Sequence, residues 1–140
     1  MLHASSRPSL PLSRRLQAVF YATAAIDLVI GLLFLFAPEL GVPLWPTPIA
    51  PVLTRFIGGI IVANGVASWL AGRQGTWEGA RVLFTVALVY GVIVLLALLA
   101  HLLLAGAPAV FWLYAAVDGV FLAPIISTYW AYERAWRAPR

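Results

Sequence analysis

A transmembrane bundle of four α-helices is the fold class this sequence predicts, on three observations. Hydrophobic residues fill 63% of the 140 positions and charged residues only 10%, with a mean hydropathy of +0.95. A soluble domain carries about a quarter of its residues charged, so too little polar surface is left here to coat a water-soluble fold or to sustain disorder. The apolar residues also gather into four stretches, each matching the roughly 20 helical residues that a hydrocarbon core about 30 Å thick requires. Finally, all nine basic residues are Arg, and eight of them fall on one side of the four stretches.

The first element, residues 1–15, holds Pro8, Pro11 and several Ser without an apolar period, and reads as a flexible or surface-lying basic arm. The first span runs over residues 16–37. It is too long for a signal-peptide core and carries Asp27 in its middle, so it reads as retained. The segment Pro38–Pro48 holds four Pro. Each lacks an N–H and fixes φ, which predicts extended or turn-like chain, with Trp45 at the outer interface.

The second span covers residues 49–71. Its small residues Gly59, Ala63, Ala67 and Ala71 recur every four positions on one helix face. That stripe predicts close helix packing, within the bundle or against a second copy. A short Gly-rich inner turn, Gly72–Gly79, leads to the third span, residues 80–105, whose bulky residues lie all round and face lipid. Gly106-Ala107-Pro108 is a tight hairpin. The fourth span, residues 110–132, contains Pro124, which frees the carbonyl of Val120 and predicts a kink. Residues 133–140 form a basic tail.

Arg placement sets the expected orientation. Arg7, Arg14, Arg15, Arg73, Arg81, Arg134, Arg137 and Arg140 share one side, and the connections Pro38–Pro48 and Gly106–Ala109 hold none. Both termini are therefore expected in the cytoplasm of a bacterial inner-membrane protein. Trp77, Trp130 and Trp136 are expected as anchors at that interface. Net charge of +4 and pI 10.1 fit anionic headgroups; no nucleic-acid partner is expected.

Ionisable groups inside spans are expensive and face the bundle interior. At 1.5 Å per residue, Asp27 lies about 15 Å and Asp118 roughly 13 Å below the outer end of their spans, Arg55 about 8 Å and His101 about 6 Å. Asn64 and Tyr90 fall near the midplane, and Tyr114 shares a face with Asp118. Two arrangements are open. In one, Arg55 bridges Asp27 and Asp118, with Asn64, Tyr90 and Tyr114 completing a polar core; one carboxylate then holds a proton or binds a cation. In the other, Arg55 reaches outward to headgroups, because helical side chains lean toward the N-terminus. The cluster of Asp27, Arg55, Asn64, Tyr90, His101, Tyr114 and Asp118 serves either to hold helices in register or to receive a ligand.

Other chemistry finds no residues. There is no Cys, so no disulfide or thiolate site. The only His residues are His3 and His101, too few for a bis-His haem or a zinc set. Ser5, Ser6, Ser9 and Ser13 sit in the arm and Ser68 and Ser127 have no His nearby, no Gly-rich phosphate loop occurs, and no span repeats polar residues as a pore would. No catalytic residue, cofactor or metal is expected.

The first span with Asp27 and Gly31, the Pro38-Glu39 exit, the run Arg55-Phe56-Ile57-Gly58-Gly59 through Gly65, and the Arg-bearing turn after Trp69 together make the chain similar to small bacterial four-helix membrane proteins of the broad DoxX-like type. The resemblance covers most of the chain. It implies a four-helix membrane fold and, for some members, association with respiratory or redox assemblies, but it carries over no catalytic residue. The expectation is a non-catalytic membrane protein: an accessory component of a membrane assembly, or a binder of a small lipophilic ligand. A small transporter or proton-coupled module built on Asp27, Arg55 and Asp118 is the alternative. Expected partners are the bilayer, other membrane proteins or a second copy, and a lipophilic ligand.

Overall fold

The computed structural model describes residues 9–42, 49–104, 106 and 108–138. Those residues form five helices and no strand: α1 Arg14–Phe36, α2 Pro38–Gly41, α3 Pro51–Gln74, α4 Trp77–Leu104 and α5 Val110–Arg137. All but α2 are long and apolar enough to cross a membrane. Each matches one predicted span, displaced by a few residues at its ends. The predicted position of Trp45, the Arg of residues 1–8 and Arg140 lie outside the described residues.

The boundaries follow local chemistry. Ser13 caps α1, its Oγ accepting the N–H of Leu16 at 3.2 Å, which satisfies one of the free amides of the first turn. Pro51 opens α3, where a missing N–H has no consequence. Gly75 ends α3 in the left-handed region at φ 64°, its N–H returning to the carbonyl of Ala71 at 3.1 Å. The turn to α4 is therefore only two residues long. Pro124 lies within α5, which stays helical on both sides of it.

The extended chain expected over Pro38–Pro48 is helical where it is described. Pro38 occupies the first turn of α2 and is fully buried. The fixed φ of proline suits a first helical turn as well as it suits extended chain. Gly41 of α2 lies against the Phe34 ring and the methyl of Thr54, so α2 wedges between α1 and α3 at the end that carries Arg55, opposite the other arginines.

The helices form two pairs. α1 packs along α3, and α4 along α5. The α1–α3 seam is built on glycine. A Cβ at Gly58 would stand 2.8 Å from the Gly31 carbonyl oxygen, and at Gly65 3.1 Å from Cβ of Asp27; at Gly72 it would stand 3.3 Å from the Phe20 side chain. Gly58, Gly65 and Gly72 recur every seven residues, so one face of α3 stays bare along its length and the two backbones touch. In a bilayer such contact, rather than burial of apolar area, drives association. The stripe Gly59, Ala63, Ala67 and Ala71 is not this seam: a Cβ on Gly59 would meet nothing within 4 Å, Ala63 and Ala67 line a cavity, and Ala71 both borders that cavity and packs in a buried cluster with Phe20 and Trp77. The seven-residue spacing of Gly outcompetes the four-residue stripe because a missing side chain admits a closer backbone than a methyl does.

The pairs join at the arginine-bearing end. Trp77 is 0% exposed at the centre of a cluster with Leu12, Phe20, Ala71, Ala80 and Phe84. Its ring stacks on Tyr132 at 5.2 Å and meets Tyr129 and Phe84 edge-on or tilted at 5.6 and 5.5 Å. Trp77 is thus a core residue, not the interface anchor expected of it. Trp130 is exposed, and the Trp136 indole N–H donates to Glu78 at 2.9 Å.

Beneath this cluster Glu133 is 2% exposed. Its Oε1 is 2.7 Å from both the Arg81 and Arg137 guanidinium groups, and its Oε2 accepts the Trp77 indole N–H at 3.3 Å. The arm expected to be flexible or surface-lying is, over residues 9–13, a strap docked on the bundle. Leu12 N–H donates to the Gly75 carbonyl at 2.9 Å, Trp77 N–H to the Leu10 carbonyl at 2.7 Å, and Ser13 N–H to the Tyr132 hydroxyl at 2.9 Å. Leu10 N–H faces the Glu78 carboxylate. The α3–α4 turn offers unpaired backbone groups, and the strap satisfies them while burying Leu12.

Candidate functional site

Beyond the aromatic cluster a cleft of about 730 Å³ separates the two pairs. Its walls are Asp27 of α1, one face of α3 from Ile60 to Gln74, the face of α4 from Gly79 to Gly91, and Asp118, Phe121, Leu122 and Ile125 of α5. The lining is mostly apolar. The small side chains of Ala63, Ala67 and Ala71 are what leave the space: larger residues on that face of α3 would close it against α4.

The polar groups of the cleft come from opposite walls. On the α1–α3 wall, Asn64 Nδ2 donates to Asp27 Oδ2 at 2.6 Å. The bare face at Gly65 brings α1 close enough for this bond, since the position of Gly65 against Asp27 Cβ leaves no room for a side chain between them. On the α4–α5 wall, Asp118 lies beside Gly91, where a Cβ would stand 4.0 Å from Asp118 Oδ1. Asp118 Oδ2 is buried with no hydrogen-bond partner. Buried polar atoms are nearly always paired, so this oxygen marks an unmet demand. Tyr90 is 62% exposed and lines the same cleft.

Of the seven residues of the expected polar cluster, Asp27, Asn64, Tyr90 and Asp118 line one cleft, and Arg55, His101 and Tyr114 do not. Arg55 is exposed on α3 and, among the described residues, has no carboxylate within ion-pair distance. The three-helix Arg55 bridge is absent. Arg55 lies nine residues before Asn64, about 13 Å along the axis, and its side chain leans further toward the start of α3. His101 is exposed with its ring edge-on to Phe111 at 6.0 Å, and Tyr114 meets the same Phe111 ring, tilted, at 6.1 Å.

Sequence reasoning passed over Gly91 and Leu122. Gly91 is the one Gly in the Leu- and Val-rich stretch of α4, a signal available in the sequence: a Cβ there would stand 2.9 Å from Leu122 Cδ1, so α4 and α5 approach at the level of Asp118. Glu133 with Arg137 four residues on was equally legible.

Among the described residues no three His, Asp or Glu side chains converge to hold a metal. The arrangement suits a guest with an apolar body lying along α3 and α4 and a polar group between the two aspartates. Neither a protein-family model, nor a curated protein, nor a solved structure matches this chain.

Proposed function

We propose that this chain is a non-catalytic multi-pass membrane protein that holds a small lipophilic molecule in the cleft between its two helix pairs. One observation carries the reading: a cleft of about 730 Å³, within the range of ligand sites, has apolar walls and polar side chains partway along it. Such a combination binds the body of a guest by contact and fixes its orientation by a few hydrogen bonds.

In this reading the arginine-bearing end faces the cytoplasm of a bacterial inner membrane, in keeping with the distribution of basic residues across membranes. The order of spans, the Pro38-Glu39 exit and the Arg55–Gly59 run support kinship with DoxX-like proteins. Separation of Arg55 from both aspartates argues against a coupled module in which one guanidinium alternates between two carboxylates.

The test is extraction. Protein purified from native membranes is stripped with organic solvent, and the extract compared by mass spectrometry with that of Ala67→Phe, in which a ring fills the cleft. A small molecule present with the first and missing from the second supports the proposal. Identical extracts overturn it.

A further inference from the structure

Resting on that reading, we propose that the guest is an amphiphile whose polar group is a protonated amine, seated between Asp27 and Asp118. The lining contains two acidic side chains and, among the described residues, no Arg or His. The one intramembrane Arg lies on the exposed side of α3, away from the cleft. Asp27 already accepts a hydrogen bond from Asn64, and Asp118 Oδ2 accepts none.

A protonated amine supplies what this inventory lacks. It brings a positive charge into a site of low polarity, where pairing with a carboxylate is strongest. It also brings several N–H donors for the two carboxylates, as charge-assisted bonds. Tyr90 and Phe121 add aromatic rings to the cleft walls, and aromatic faces attract ammonium groups. An alcohol offers one donor and no charge. A carboxylate or phosphate head offers acceptors to a site that already holds two acids.

The experiment uses the full chain in nanodiscs of phosphatidylcholine and three probes sharing one tail: dodecylamine, dodecanol and dodecanoate. Thermal unfolding is followed by tryptophan fluorescence for the native sequence and for Ala67→Phe, whose shifts report partition into the disc alone. The expected result is a saturable rise of a few degrees with dodecylamine in the native protein only, and little effect from the other two. Asp118→Asn is expected to raise the amine concentration needed for half the shift about tenfold, equivalent to roughly 1.4 kcal/mol. Discs doped with phosphatidylethanolamine separate two sources of the same chemistry: competition with dodecylamine identifies a bilayer lipid, and its absence a free amine. Equal shifts from dodecanol or dodecanoate would overturn the amine assignment and leave the cleft reading intact. No difference between the native protein and Ala67→Phe for any probe would overturn both.

Discussion

Gly31 of α1 and Gly58 of α3 bring their backbones into contact, each standing where a side chain on the other would go. A Cβ on Gly31 would lie 2.9 Å from the Gly58 carbonyl oxygen, and a Cβ on Gly58 would lie 2.8 Å from that of Gly31. Neither neighbour is the end of a flexible side chain, so a methyl group forces the helices apart. Gly58→Ala and Gly31→Ala are each expected to destabilise by about 1–3 kcal/mol, the usual cost of overpacking. Gly59→Ala, one residue away, has open space and is expected to be neutral or slightly stabilising through helix propensity. Unfolding in mixed micelles, with the three variants side by side, separates a local seam from a general intolerance of α3.

The carboxylate of Glu133 ties α5 to the start of α4 through Arg81 and Trp77, and pairs with Arg137 on its own helix. Glu133→Gln keeps the shape and removes the charge. The expected loss is about 2 kcal/mol, below the 3–5 kcal/mol of a fully buried pair, because both arginines are partly open to solvent and screened. Thermal unfolding at low and high salt checks this: the deficit of the variant should shrink in salt by the share the exposed arginines carry and keep the share due to the buried carboxylate.

The strap is expected to behave as part of the fold. Leu12 is buried, and Leu12→Ala should cost about 2 kcal/mol, the lower end for a core leucine. Amide exchange gives a sharper check. The amides of Leu12 and Trp77, which donate to Gly75 and Leu10, should be protected in the native protein and exchange faster in the variant. Equal protection would mean that the strap docks through its hydrogen bonds alone.

Topology is open to direct measurement because the chain has no Cys. Single replacements Arg73→Cys and Pro108→Cys lie at exposed positions at opposite ends of the bundle. A membrane-impermeant maleimide added to intact cells should label the second and not the first. Labelling of both from one side would refute a four-span crossing.

The parts of this fold that are legible in the sequence are those governed by composition. Four apolar stretches yield four long helices because a run of 20 such residues has few alternatives in lipid. Proline marks boundaries reliably but not their conformation, since Pro38 serves a helix start where extended chain is expected. Packing is less legible. The face of α3 that touches α1 depends on whether its four-residue or its seven-residue set of small residues approaches more closely, and both patterns are present. Half of the polar site is readable from depth alone, as Asp27, Asn64 and Asp118 lie at similar levels. Which of them face one another depends on helix rotation, and Arg55 falls outside the group because it stands nine residues from Asn64 at an exposed position of α3. The strap has no apolar period at all; its place is set by backbone groups of a turn more than 60 residues away.

The link between Ser13 and Tyr132 spans 119 positions of chain, and this fixes an order of events during biosynthesis. The amide of Ser13 is made before α1, yet its partner follows α1, α3, α4 and most of α5. The strap's hydrogen bonds to the α3–α4 turn can form once that turn exists, and the one to α5 only after Tyr132 is made. Full docking of this short segment thus reports that synthesis has passed the last turns of α5.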